Sequence, residues 1–318
     1  MPNPDLDPTP GFPGLVPRQG GAGRQPPYRE AGGITVIKCG GGEGIDPDRV
    51  CAGIAALRGS GERVVLVHGG AADIALLADR LGVPSRTLRA PSGVTSRHTD
   101  PAMLDVVQLA LAGRVKPRLL AALFRAGVPA VGLTGLDGNL LRATRKTARR
   151  AVTRDGRVQL VRDDHSGRIT AVDPTVPRLL LSAGLTPVVS PPAADPTGAP
   201  LNVDADRAAA ALAAALGARR LILLTAAPGL LADPSDPASL LPHHVLPPSG
   251  PPGGPAASDG MFRKLVAARE ALLGGVPEVR IADGRTAAPV TTALCGAGTR
   301  LTLAASTVES RVPTGGPA

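Results

Sequence analysis

Four lysines give the first chemical signal. The chain carries 35 Lys and Arg residues, yet only Lys38, Lys116, Lys146 and Lys264 are lysines. Arginine serves almost everywhere a cation suffices, so a retained lysine either survives by chance or supplies a compact point charge that a planar fork would not. Lys38 lies near the end of the β-branched run Ile34–Cys39, one residue before Gly40-Gly41-Gly42. Glycines let a backbone approach a phosphate and aim N–H groups at it, while the ammonium supplies charge. The arrangement is not a GxxxxGK[ST] loop, because the lysine precedes the glycines. The same residues also read as a tight turn with a surface lysine. A second glycine turn, His68-Gly69-Gly70-Ala71, again follows a strand and opens a helix. Two such turns on neighbouring strands would bring two helix N-termini to one point, each favouring an anion. One phosphate cradle and one carboxylate pocket would fit; His68 itself reads as structural.

Three more segments carry candidate groups. Arg97 lies in Ser96-Arg97-His98-Thr99-Asp100 before a long helix. It is placed to form a bidentate pair with a carboxylate, or to be an ordinary surface arginine, while Thr99 or Asp100 caps the helix. Asn202-Val203-Asp204-Ala205-Asp206 opens an alanine-rich helix. Its carboxylates read either as helix caps or as part of a site in which Asn202 binds substrate and Asp206 holds lysines. Lys264 follows Asp259-Gly260-Met261-Phe262-Arg263 in the first turns of a helix, where the dipole disfavours a cation. A cation in that place points to an anionic partner such as nucleotide phosphates.

The elements that must position these groups alternate. Strands are expected at Ile34–Cys39, Val64–His68, Pro129–Leu133, Thr186–Ser190, Leu221–Thr225 and Val279–Ala282. Helices are expected at Asp46–Arg58, Ala71–Leu81, Pro101–Ala126, Pro174–Ala183, Ala205–Leu216, Asp259–Leu273 and Thr286–Leu294. Such alternation predicts an α/β fold around a mostly parallel sheet, with ligands beyond the carboxyl ends of the strands. Residues 139–171 break the rhythm and read as β-hairpins, with turn signals at Asp155-Gly156 and Ser166-Gly167. They concentrate Arg142, Arg145, Lys146, Arg149, Arg150, Arg154, Arg157 and Arg162. Residues 232–258 are proline-rich and read as a long loop. Residues 1–31 and 309–318 read as disordered tails, too poor in apolar surface to order themselves.

Composition narrows the function classes. At 318 residues and 43% hydrophobic content the chain can bury a sizeable core. No run of eighteen apolar residues and no apolar leader segment is present, so no membrane span or secretory signal is expected. Cys39, Cys51 and Cys295 are odd in number and show no CxxC or other metal-ligand spacing, which predicts no disulfide framework and a reducing cytoplasm. Aromatics at 1% argue against base stacking on nucleic acid. The net charge of +9 suits nucleic acid, an acidic partner or phosphorylated ligands.

In this order and spacing, the segments over about residues 33–305 resemble the amino-acid-kinase family, and within it the acetylglutamate kinase branch. The resemblance implies a three-layer sandwich around a mostly parallel sheet in two lobes, with the basic hairpins as an insertion. Residues 32–190 would form the acceptor lobe and 191–308 the nucleotide lobe. It implies ATP with Mg2+ held mainly by the nucleotide phosphates, phosphorylation of a side-chain carboxylate, and a homodimer. Lys38 and Lys264 would be the transition-state lysines, organised by Asp206. Gly69, Gly70, Arg97 and Asn202 would hold the acceptor; Gly40, Gly41, Thr225 and Gly229 would lie at the ATP phosphates. Ala226 stands where the family usually carries Asp or Asn near the nucleotide.

Details narrow the likeness further. Ser96-Arg97-His98-Thr99-Asp100, residues 132–138 (GLTGLDG) and Arg145-Lys146-Thr147-Ala148 are similar to the [LysW]-aminoadipate kinases. Those enzymes act on 2-aminoadipate or glutamate attached to a small acidic amino-group carrier protein. Arg145, Lys146, Arg149 and Arg150 would then dock the carrier. A kinase of free N-acetylglutamate and a non-catalytic relative gripping a polyanion are the alternatives.

Overall fold

The computed structural model describes residues 32–42, 44–91, 95–145, 148–152, 157–252 and 258–304. Both expected tails, Lys146, Arg154 and the Asp155-Gly156 turn lie outside the described residues. The first half runs β1 (Ile34–Cys39), α1 (Pro47–Gly59), β2 (Arg63–His68), α2 (Ala71–Arg80), β3 (Thr87–Arg89) and β4 (Thr95–Arg97). Then come α3 (Pro101–Gln108), a π-helical segment (Leu109–Val115), α4 (Lys116–Arg125) and β5 (Ala130–Thr134). The hairpin region holds β6 (Leu141–Arg145), β7 (Arg149–Val152), β8 (Val158–Val161) and β9 (Gly167–Val172). α5 (Thr175–Ser182), β10 (Thr186–Ser190), β11 (Ala193–Ala194), β12 (Pro200–Leu201) and α6 (Ala205–Leu216) follow. The remainder is β13 (Arg220–Thr225), β14 (His243–Leu246), α7 (Asp259–Leu273), β15 (Glu278–Asp283), α8 (Pro289–Leu294) and β16 (Thr299–Leu303).

One eight-stranded sheet spans the molecule in the order β14-β16-β15-β13-β1-β2-β10-β5. Its six strands from β15 to β5 are parallel, and β16 turns antiparallel against β15. Helices cover both faces, so all six residues of β1 are buried and the strand reads as a continuous apolar run rather than an alternating one. Val36, Val65, Val67, Leu221 and Leu223 pack in the core that includes α6 and α7. Ile37, Leu66, Val188, Ile222 and Leu224 face the opposite core with α1 and α4. This is the expected three-layer sandwich.

Four expectations change. The proline-rich stretch 232–258 is not all loop, because His243–Leu246 pairs parallel with β16 as an edge strand. Ser166-Gly167 is not a turn: Gly167 opens β9 opposite Arg145, and a Cβ there would lie 3.0 Å from Leu201 and 3.1 Å from Ala143. The last helix begins at Pro289 rather than Thr286, since the residue before a proline is held out of the helical region, and Ala288 sits at φ −137°, ψ 67°. The single helix expected over 101–126 is interrupted by the π segment. Pro117 cannot donate to the carbonyl of Gly113 and its ring would crowd it, and a widened turn just before it relieves both. Among the described residues no helix is long and apolar enough to cross a membrane.

Candidate functional site

The site forms where β1, β2 and β13 end. Side chains alternate along a strand, so Lys38 shares the face of Val36, toward α6. On α6, Asp206 lies one and two turns ahead of Ala209, Ala210 and Ala213, all buried, so its carboxylate faces the sheet. Small alanines let the helix sit close to the sheet and to α7. Lys264 lies on the α7 face that carries Ala267, Ala268 and Ala271, buried against α6. The three charged groups therefore meet. Lys38 Nζ is 2.8 Å from Asp206 Oδ1, and Lys264 Nζ is 3.1 Å from Asp206 Oδ2. Their side chains are 7%, 11% and 6% exposed for Lys38, Lys264 and Asp206.

Burial would discharge these groups, but their mutual attraction opposes it. Burial alone lowers Lys38; the charge of Asp206 and the bond to it outweigh that and hold its pKa above the ordinary lysine value. Burial raises Asp206, and both lysines together pull it below the ordinary carboxylate range. Lys264 stays below the ordinary lysine value because burial, aided by repulsion from Lys38, outweighs Asp206. Asp204 caps α6, accepting from the backbone N–H groups of Asp206 (2.9 Å) and Arg207 (3.0 Å). Burial and repulsion from Asp206 raise its pKa.

The two glycine turns touch. A Cβ on Gly41 would lie 3.0 Å from Gly70 Cα and 3.1 Å from Ala71 N, so only glycine lets the β1 turn approach the start of α2 this closely. Gly40, Gly41, Gly69 and Gly70 line one cleft of about 630 Å³ together with Lys38, Lys264 and Asp206. Arg97, Asn202 and Thr225 line it too. Arg97 reaches over α2, with Nη1 3.0 Å from Ser85 Oγ and Nη2 3.5 Å from the carbonyl of Ala71. Asn202 donates to Thr99 Oγ1 at 3.0 Å. Thr99 is held in turn by the buried Asp164, which accepts from its backbone N–H at 2.9 Å.

Gly229 stands apart. It does not line the cleft; a Cβ there would lie 2.6 Å from Leu240 and 2.7 Å from Thr299 Oγ1, so the glycine is required by packing. His68 is buried with Nδ1 3.0 Å from the carbonyl of Gly69, and its pKa falls to about 4 through burial and the charges of Lys116 and Lys38. Lys116 lies away from the cleft lining, its stem across Gly132, and burial lowers its pKa to about 8. Among the described residues no group of three or more His, Cys, Asp or Glu side chains could hold a metal ion.

The basic hairpins adjoin this cleft. Arg145 is paired with Gly167, a cleft-lining residue, and donates to the carbonyls of Asp164 and Arg162, both at 3.1 Å. β7 and β8 form an antiparallel pair that packs on the Arg97 hairpin through Leu88, Ala151 and Val161. Arg142, Arg150, Arg162 and Arg168 are exposed.

Some residues of the cleft have no site role in the sequence pattern. Arg263 donates from Nη1 to the carbonyl of Thr95 at 2.9 Å, and Thr95 hydrogen-bonds Asp259, so the start of α7 is tied to β4. Ile74, Leu111 and Ser166 also line the cleft. Pro117 after a long apolar run was the one available hint that the helix carrying Leu111 is distorted.

Comparison with known proteins places this architecture. The chain is 43% identical over 267 residues to the [LysW]-aminoadipate kinase of Deinococcus radiodurans, covering 84% of this chain and 90% of that one. It is 40% identical to the [LysW]-aminoadipate kinase of Thermus thermophilus, covering 84% and 99%. It is 38% identical to the acetylglutamate kinase of Salinispora tropica, covering 81% and 85%. Residues 33–283 match the amino acid kinase family, and the chain belongs to it.

Proposed function

We propose that this chain phosphorylates the side-chain carboxylate of 2-aminoadipate, or of glutamate, carried on a small acidic amino-group carrier protein, with ATP as donor. The observation that carries the reading is the convergence of Lys38 and Lys264 on Asp206 beside two touching glycine turns. A carboxylate oxygen attacks the γ-phosphorus of ATP, the bond to the bridging oxygen breaks, and ADP leaves. The acceptor is already ionised at neutral pH, so no base is required. The work is positioning and neutralising spread negative charge. Lys38 serves the transferred group, and Lys264 the bridging oxygen. Asp206 keeps both ammonium groups charged and in place. Gly69, Gly70 and Arg97, from 32–190 as the acceptor lobe, hold the acceptor together with Asn202; Thr225, from 191–308 as the nucleotide lobe, faces the phosphates together with Gly40 and Gly41. Mg2+ enters with the nucleotide, which fits a cleft whose Asp206 is already engaged by two lysines.

The carrier is supported by charge and place. The exposed arginines of the hairpin region lie beside the rim formed by Ser166 and Gly167, and β8 adds Val158 and Leu160, 58% and 55% exposed. Such a mixed basic and apolar face suits an acidic protein surface. Lys146, Arg149 and Arg150 are assigned to docking. Arg145 contributes less directly, since its guanidinium holds the loop that positions Thr99. A homodimer is inferred from the edge strand β5 and the neighbouring α4, where Phe124 is 83% exposed. The buried thiols of Cys39 and Cys51 and the use of ATP fit a cytoplasmic location.

Free N-acetylglutamate is the second reading, favoured by the Salinispora relative. Hydroxylamine trapping of the acyl phosphate distinguishes the two. A loaded carrier should give hydroxamate, and free N-acetylglutamate little. Changing Lys146, Arg149 and Arg150 to Glu should cripple carrier-linked turnover alone. Hydroxamate from free N-acetylglutamate with none from the carrier would reverse the assignment, and no ATP consumption with either would favour a non-catalytic polyanion binder.

A further inference from the structure

The cleft that holds the glycine turn and Arg97 also carries two buried apolar side chains in its wall. Ile74 comes from α2 and Leu111 from the π-helical segment. Both line the cleft, yet they are only 7% and 2% exposed. They belong to one packed cluster with Met103, Val106 and Ala110, so neither side chain is free to swing aside. Leu111 also presses on the acceptor turn. A Cβ added to Gly70 would lie 2.8 Å from Leu111 Cδ2. The π turn sets this contact, because it rotates the residues before Pro117 relative to those after it, and π segments recur at functional sites.

We infer that Leu111, backed by Ile74, sets the carbon-chain length of the acceptor dicarboxylate. The inference rests on the function proposed above. The acceptor must present one carboxylate at the Gly69-Gly70 turn and be held through another group at Arg97. These anchors belong to packed elements: Arg97 Nη2 lies 3.5 Å from the carbonyl of Ala71, next to the turn itself. The methylenes between the two anchored groups run along the Ile74 and Leu111 wall. An apolar wall discriminates one methylene by about 10–200-fold. A rigid leucine there separates five-carbon from six-carbon acceptors, whichever of the two the enzyme prefers.

The test is the ratio of kcat/KM for carrier-linked 2-aminoadipate to that for carrier-linked glutamate. Both values come from one preparation, so partial unfolding of a variant cancels in the ratio. Leu111→Ala should raise the ratio by about tenfold or more by opening room for a methylene. Leu111→Met, which keeps the volume, should leave it within about threefold. Ile74→Val should move it in the same direction as Leu111→Ala, and the KM for ATP should stay put in all three. If wild type turns over both acceptors and the Leu111→Ala ratio matches it, the gauge is overturned and the function stands. If wild type turns over neither, both fall.

Discussion

Replacing Asp206 by Asn removes the anion from between two buried ammonium groups while leaving the shape almost unchanged. At separations of 2.8 and 3.1 Å the gross attraction is about 5–6 kcal/mol for each lysine at an effective dielectric constant of about 20. Desolvation of three charged groups offsets much of that. Removing one partner of a buried pair then costs about 3–5 kcal/mol, because the remaining charges stay buried and uncompensated. Asn keeps one oxygen able to accept from a lysine, which places the expected loss near the lower end, about 3 kcal/mol. For a folded body of this size that lowers Tm by roughly 5 °C. The polyphosphate of ATP would supply the missing negative charge, so saturating MgATP should restore more of the variant's stability than it adds to wild type. Thermal and urea unfolding with and without MgATP measure both quantities. A variant within about 1 kcal/mol of wild type, with the same response to nucleotide, would refute the charge-compensation argument.

The same electrostatics fix a pH limb. Lys264 sits below the ordinary lysine pKa of 10.5 and Lys38 above it, so as pH rises Lys264 loses its proton before Lys38, and kcat/KM for ATP, which follows the free enzyme, should decline with an apparent pKa below 10.5. Lys264→Arg, if it turns over, should move that decline to higher pH, whereas Lys116→Met should leave it in place; a limb that ignores position 264 contradicts the assignment. Gly41→Ala should force the two glycine turns apart, and displacement of about 1 Å at such a point costs up to about 10²-fold in kcat, measurable in steady-state assays at saturating substrates. An alanine variant with wild-type kcat would show that the close approach has no catalytic meaning.

Much of the frame was legible because strands buried on both faces announce themselves as apolar runs, and because lysine is scarce here. Ile34–Cys39, Thr186–Ser190 and Ala205–Leu216 stand in the structure with the same bounds the pattern predicts. Lys38, Asp206 and Lys264 were flagged by type and placement, and the fold brings them within bonding distance. Glycine was harder to interpret. Gly41 and Gly229 look alike in sequence, yet one permits a backbone approach at the cleft and the other makes room for Leu240 and Thr299. A glycine records that a Cβ is not tolerated, not what stands in its way. His243–Leu246 escaped because a short edge strand between prolines has too little pattern to be seen. The π segment escaped because its cause, Pro117, acts on the turn before it, and the apolar period stays nearly helical. Arginine abundance hid the difference between Arg145, which braces a loop, and Arg150, which is exposed.

The central claim is that two ammonium groups, far apart in sequence, act on one transferring phosphoryl group. Its most direct test is the single-turnover rate of acyl-phosphate formation by Lys38→Ala at saturating MgATP and loaded carrier, with folding checked by circular dichroism. Loss of one preorganised cation should slow the step by about 10²-fold or more while nucleotide still binds. A rate near that of wild type would remove Lys38 from the chemistry and contradict the account.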